Sequence, residues 1–196
     1  MSLIPTESLD EGIQLCLANA ERLLNDAQHL NGEERYSSAM LLAAIAIEEA
    51  GKGLTLLRAK ENNKNLDNGE QKKVFRLHQF KIKQALAGVP HLRLDMKTRM
   101  PQHEIEEIAR TVTDAVDSAK LEQTYVDWKK GRWHSPTMTD KTLLRGAAAN
   151  QIGTAEVITD SFKAAIKGEK TSFAVFSGTV VRTIRDGNDD ECGETA

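Results

Sequence analysis

Apolar residues recur at spacings of three and four along most of the chain, which is the period of one face of an α-helix. The first predicted helix starts after Ser8, where Ser8 and Glu11 have the spacing of a capping box, and ends near Gly32. The second, over about 34–62, carries two adjacent apolar lines, so we predict that it is the central and most buried helix. The apolar stripe of the first helix comprises Ile13, Leu17, Ala20, Leu24 and Ala27.

Three further helices complete the predicted bundle. The third follows the polar linker 61–71 and ends at Ala87, the fourth runs from 105 to 125, and the fifth begins after "TMTDK" and ends before Gly168. Short connections of this kind are typical of an up-and-down bundle. The sequence therefore predicts an all-α, up-and-down bundle of about five helices, which forms one domain over residues 1–168.

The C-terminal extension, residues 169–196, has a different composition. Its β-branched and aromatic residues flank Ser177-Gly178, which predicts a small hairpin or an irregular strap over the bundle. Roughly the last ten residues are too polar to bury, so we predict that they are disordered.

Composition and charge narrow the class of protein. The chain has 196 residues, of which 28% are charged and 5% aromatic, as in a soluble helical domain. A net charge of −3 argues against attraction of nucleic acid over the whole surface, so any such contact must be local. Two cysteines form no disulfide framework, the first residues do not resemble a signal peptide, and the apolar run 39–47 is too short to cross a bilayer. We expect a cytoplasmic protein with no membrane contact.

The central helix carries charges where a core helix should be apolar. Glu48 and Lys52 continue the apolar line of the residues before them and have the spacing of an ion pair, and Glu49 lies beside them. His78 follows on the next helix, with Lys81 one turn later, and a carboxylate near His78 would orient its ring for proton transfer. This pattern predicts a polar pocket in which Glu48 or Glu49 contacts His78 or Lys52. The alternative is an internal salt-bridge network that only fixes helix register.

The segment "YVDWKKGRWHSP" (125–136) is predicted to be a loop that combines aromatic and basic residues. Rings that stack on bases and cations that meet phosphates are typical of contacts to single-stranded RNA. The alternative is that the two tryptophans plug the end of the bundle, because tryptophan is highly buried on average. The candidate binding residues of this segment are Asp127, Lys129, Lys130, Arg132 and Trp133.

Four segments in order resemble one known family. "NAERLLNDAQHL" (19–30), "YSSAMLLAAIAIEEAGK" (36–52), "HQFK" (78–81) and "YVDWKKGRWHSP" (125–136) are similar to the AbiV-type abortive infection proteins of the HEPN superfamily. The resemblance implies a helical bundle that pairs as a homodimer and serves in defence against phage. Many members of the superfamily are metal-independent ribonucleases with an Arg and a His on a late helix, where this chain offers Lys120 and Tyr125.

Three functions follow from these observations. The first is an abortive-infection protein that acts on RNA or the translation apparatus by binding a phage or host partner. The second is a metal-independent ribonuclease whose substituted site comprises Glu48, Lys52, His78 and Tyr125, with Glu49 and Lys81 as further binding candidates. The third is a structural or interaction bundle without RNA contact. No motif for a metal or another cofactor is present, so we predict neither.

Overall fold

The computed structural model describes residues 3–87, 92–93, 125–129, 131–136, 139–169, 171–176 and 179–185, and the isolated positions 110–111, 113–114, 116, 118 and 121. Within this part of the chain, five α-helices have defined bounds, and they confirm the predicted all-α bundle. They are α1 (Leu9–Gly32), α2 (Tyr36–Glu61), α3 (Asn68–Arg76), α4 (His78–Ala87) and α5 (Lys141–Ile166), with a short 3-10 helix, Thr6–Ser8, before α1.

Capping explains some of these helix ends, although one predicted cap is wrong. The Ser8 hydroxyl donates to the Pro5 carbonyl at 2.9 Å and makes no bond to the first turn of α1. A complete capping box instead starts α3, where Asp67 accepts from the Glu70 amide and the Glu70 carboxylate accepts from the Asp67 amide. The predicted stop after α5 is confirmed, because Gly168 adopts a positive φ of 70°.

The core of the bundle surrounds α2. Met40, Ile47 and Leu54, which the pattern predicted to be buried, are at most 4% exposed. Helix α2 packs against α1, α4 and α5, so it is covered on most sides. The prediction that the second helix is central is therefore confirmed.

Two glycines of α2 allow its neighbours to approach closely. A Cβ added at Gly51 would lie 1.9 Å from the carbonyl oxygen of Lys81 on α4, and one added at Gly53 would lie 2.1 Å from Cζ of Phe162 on α5. Neither distance is possible for a real Cβ, so a larger residue at either position would force its neighbour to shift. The glycines in this helix predict either close helix packing or a site, and the approaches at Gly51 and Gly53 confirm close packing.

The third predicted helix is divided. The extended backbone of Leu77, with φ of −93° and ψ of 105°, separates α3 from α4. The spacing of Phe75, His78 and Ile82 predicts one shared helical face, and the break shows that this prediction is wrong. Ile82 is fully buried, whereas Phe75 and His78 are exposed.

Short strands accompany the bundle: β1 (Leu92–Arg93), β2 (Asp127–Lys129), β3 (Arg132–His134), β4 (Thr171–Phe176) and β5 (Thr179–Arg185). Strands β4 and β5 pair antiparallel and confirm the predicted C-terminal hairpin, and β1 pairs parallel with β4. Strands β2 and β3 also pair antiparallel, so the prediction of a loop over 125–136 is wrong. The connection between them has only two residues, and Gly131 supplies the positive φ of 75° that such a turn needs.

Other predictions fall wholly or largely outside the described residues. The fourth helix is represented by helical positions between Arg110 and Leu121, and its ends and the last ten residues lie beyond the described positions. The division of the chain at 168/169 stays a prediction. Among the helices that the structure describes, none has the length and apolar character needed to cross a membrane.

Candidate functional site

A buried carboxylate on α2 lies beside two cationic side chains of α4. Glu48 Oε2 is 2.7 Å from Lys81 Nζ and 2.7 Å from Nδ1 of His78. The close approach at Gly51 brings the Lys81 backbone against α2, which lets the lysine side chain reach Glu48. The prediction that Glu48 contacts His78 is confirmed, and Lys81 is a partner that the sequence did not indicate.

Burial separates the roles of these three side chains. The side chain of Glu48 is 3% exposed and that of Lys81 is 6% exposed, so they form a desolvated ion pair. The His78 side chain is 55% exposed and reaches the surface. Since a buried charge is costly unless it is paired, Lys81 compensates Glu48 and has little surface left for a ligand. Lys81 was a candidate binding residue, and that role stays a prediction.

A second charged pair lies on the neighbouring face of α2. Lys52 Nζ is 2.6 Å from Glu49 Oε1, and the two side chains are 17% and 14% exposed. The spacing predicted an ion pair between Lys52 and Glu48, four residues earlier. Lys52 instead pairs with Glu49, three residues earlier. Lys52 Nζ also lies 5.9 Å from the ring centre of Phe75 on α3, within range of a cation–π contact.

The second pair also affects a buried thiol on α1. Burial raises the pKa of Cys16 from 9.0 to about 11, with smaller opposing effects from Lys52, which lowers it, and Glu49, which raises it. The Glu49–Lys52 pair is therefore close enough to the interior for its charges to act on α1. We refer to Glu48, Glu49, Lys52, His78 and Lys81 together as the charged cluster.

The aromatic segment forms a surface hairpin, which we call the tryptophan hairpin (residues 127–134). Trp128 and Trp133 are directly opposite each other on β2 and β3, and their rings meet edge to face with centres 5.2 Å apart. They are 57% and 61% exposed, so the alternative that they plug the end of the bundle is wrong. Side chains alternate along a strand, so exposed Arg132 lies on the opposite face of the hairpin from Trp133.

Tyr125 lies next to the tryptophan hairpin in the chain and is held by a backbone bond to the helical residue Leu121. It precedes β2 and is 62% exposed, and its amide donates to the Leu121 carbonyl at 3.1 Å. Of the four catalytic candidates, the structure thus joins Glu48 to His78 and places Lys52 beside Glu49. It does not give Tyr125 a hydrogen bond to any of them within the described part of the chain. The catalytic and binding roles of all these residues stay predictions.

Sequence reasoning missed two residues that shape the charged cluster. Lys81 was predicted to bind a ligand and not to pair with Glu48, although its position three residues after His78 places both on one side of α4. Phe75 was predicted to share a helical face with His78 and Ile82, and no pattern indicated the break at Leu77. Among the described residues, no group of three His, Cys, Asp or Glu side chains is arranged to hold a metal ion.

The fold and the charged cluster define an all-α bundle protein whose polar centre lies on its most buried helix. A family model of the HEPN type, described as AbiV, matches residues 8–159. The match covers most of the chain and includes α1 to α4, the tryptophan hairpin and most of α5, and the chain belongs to the AbiV family. Membership of this family indicates an abortive-infection function. No curated protein and no solved structure matches the chain.

Proposed function

We propose that this chain is an abortive-infection protein that acts on RNA or the translation apparatus through a binding contact made by the tryptophan hairpin. One observation carries the proposal: Trp128 and Trp133 are more than half exposed and adjacent on a two-stranded ribbon. Exposed indole rings of this kind are suitable for stacking unpaired bases.

The charge of the turn supports RNA as the target. Lys129 and Arg132 are opposite each other in the register, and three of the four residues from 129 to 132 are basic in the sequence. The ribbon has only two strands and is therefore narrow. A nucleotide strand bound on the tryptophan face would place its phosphates near the edges of the ribbon and near the basic turn. The overall charge of −3 makes such a contact local.

The experiment measures binding of a single-stranded RNA oligonucleotide to the purified protein by anisotropy. Trp128→Ala and Trp133→Ala are each expected to weaken binding roughly 5- to 150-fold, the range that corresponds to loss of one base-stacking contact. Leu15→Ala is the control, because Leu15 is a similarly exposed apolar residue on α1. Equal affinity in all four proteins would refute the proposal, and so would full phage protection by the double tryptophan variant.

A second candidate function, the metal-independent ribonuclease, is favoured by one contact. The buried Glu48 carboxylate lies 2.7 Å from His78 Nδ1, and the half-exposed ring of His78 is thereby oriented at the surface. Incubation with total RNA in EDTA tests this function. Cleavage by the wild type and by His29→Ala, but not by His78→Ala, would favour the enzyme, because His29 is an exposed histidine outside the charged cluster.

We also propose a homodimer, and this proposal rests on the family alone. The glycines of α2 give the dimer no further support, because Gly51 meets α4 and Gly53 meets α5 inside the same chain. A light-scattering mass equal to that of one chain at micromolar concentration would contradict the dimer.

A further inference from the structure

An open pocket of 290 Å³ lies on the side of the bundle formed by the end of α2, the following linker, α3 and α4. Its floor is apolar, since Leu66 and Val74 are buried and Phe80 is half-buried. This volume is close to the lower end of the range found for small-molecule sites. None of its lining residues belongs to the charged cluster or the tryptophan hairpin.

The rim of the pocket has an excess of positive charge. Arg58, Lys64 and Lys73 line it together with a single carboxylate, Glu70. Glu70 forms an ion pair with Lys64, which leaves Arg58 and Lys73 without a carboxylate partner among the lining residues. Arg58 is half-buried and donates to the neutral Gln84 amide at 2.6 Å, which orients its guanidinium and leaves its charge in place.

The walls of the pocket are held in position by hydrogen bonds. Leu66 exchanges two backbone bonds with Ile4, at 3.0 and 3.1 Å, and its carbonyl also accepts from Gln71. The end of α2 is closed by Asn62, whose amide and side chain both donate to the Arg58 carbonyl. The carbonyls of Ala59 and Lys60 also accept backbone bonds, so at these positions a ligand would meet cationic side chains and not unsatisfied carbonyls.

We propose that this pocket binds a small amphipathic anion: a compact aromatic or aliphatic body that carries one carboxylate, sulfonate or phosphate. The apolar floor offers side chains without hydrogen-bonding groups, which suits an apolar body, and Phe80 offers a ring edge or face. Arg58 and Lys73 supply the charge for the anionic head. The proposal is independent of the RNA contact, because the two sites share no residue.

The test uses the fluorescence of 8-anilinonaphthalene-1-sulfonate, an aromatic anion that becomes bright in apolar sites. The protein carries Trp128→Ala and Trp133→Ala, so that the dye does not report on the tryptophan hairpin. Arg58→Gln and Lys73→Glu are each expected to weaken dye binding about 3- to 10-fold. Lys72→Ala, an exposed neighbour on α3 that does not line the pocket, is expected to bind the dye with unchanged affinity.

Competition identifies the head group. Benzoate or phenyl phosphate should displace the dye, and phenol, which has the same ring without the charge, should not. Equal dye affinity in Arg58→Gln, Lys73→Glu and the parent protein would overturn the proposal, as would displacement by phenol as strong as that by both anions. Lys73 is on the surface of α3, so the Lys73→Glu variant is expected to fold and keeps the test decisive.

Discussion

The charged cluster and the tryptophan hairpin reverse the usual placement of side chains. In the charged cluster, ionic groups are in the interior: Glu48 and Lys81 are almost fully buried. In the tryptophan hairpin, two of the largest apolar side chains are in solvent. A buried polar group and an exposed apolar patch are the informative exceptions to the rule that apolar residues are inside.

The two exceptions differ in what compensates them. The buried carboxylate of Glu48 has its partners within the chain, since Lys81 and His78 both lie 2.7 Å away. The exposed rings of the tryptophan hairpin contact each other at one edge and keep most of their surface in water. We therefore expect changes in the charged cluster to act mainly on stability, and changes in the hairpin to act mainly on the proposed contact with a partner.

The largest expected effect comes from breaking the buried pair. Glu48→Gln leaves the Lys81 ammonium buried without a counter-charge, so we expect the free energy of unfolding to fall by about 3–5 kcal/mol. Urea denaturation measures the change. Asp26→Asn is the control, because it removes a carboxylate from an ion pair with Arg22 that is more than half exposed.

A double variant sharpens this result. Replacing both members of the pair, Glu48→Leu with Lys81→Met, should recover most of the lost stability, because an apolar pair of similar volume avoids the desolvation of two charges. If Glu48→Gln has the same unfolding midpoint as Asp26→Asn, the charged cluster does not stabilise the fold. That result would contradict the structural role given to the cluster.

These two regions also show which contacts could be predicted from the sequence. The contact between Glu48 and His78 was predictable because helical spacing puts both at the junction of adjacent helices. The Lys81 contact was missed, although its spacing from His78 places both residues on one side of α4. The extended residue Leu77, which ends α3 and begins α4 in a new direction, was not predictable. Local pattern encodes which face of a helix is apolar, but not the angle between successive helices.

In the tryptophan hairpin, the sequence contained a turn signal, but the segment was predicted to be a loop. Trp128 and Trp133 are separated by four residues, and the two-residue turn between Lys129 and Arg132 has Gly131 in the position that requires positive φ. That signal was present in the sequence. The exposure of the rings was not predictable from it, because burial is decided by the position of the ribbon relative to the bundle.

A smaller loss is expected when the approach of α4 to α2 is blocked. Gly51→Ala places a methyl group where the Lys81 carbonyl lies, so α4 must shift, and we expect a loss of about 1–3 kcal/mol in the free energy of unfolding. Gly146→Ala on α5 is the matched control, because its Cβ would meet nothing within 4 Å. That control should stabilise the helix by about 0.5–1 kcal/mol. Equal urea midpoints for the two variants would contradict the close packing at Gly51.

The pH dependence of Cys16 probes the interior next to Glu49 and Lys52. Its pKa is raised in the folded protein, so its contribution to stability is complete below pH 9 and is lost as the pH rises through about 11. The stability difference between wild type and Cys16→Ala should therefore shift against the wild type by about 2 kcal/mol between pH 8 and pH 11. Urea denaturation at each pH measures it, and a difference that stays constant would show that Cys16 is not buried as described.

The smallest effect on global stability is expected at the tryptophan hairpin, where a spectroscopic probe is available. The chain contains two tryptophans, and both are in the hairpin, so intrinsic tryptophan fluorescence reports on that ribbon and not on the core. Trp128→Ala removes the edge-to-face contact, which is worth about 0.5–1.5 kcal/mol within the hairpin, at a position that is 57% exposed and outside the hydrophobic core cluster. The urea midpoint followed by helical circular dichroism should therefore change by less than the equivalent of about 0.5 kcal/mol.

In the wild type, tryptophan fluorescence should change at a lower urea concentration than the helical signal, because a two-stranded surface ribbon opens locally before the bundle unfolds. Coincident transitions by the two probes, with a large loss of helical stability in Trp128→Ala, would place the hairpin in the cooperative core and remove the distinction between the two regions.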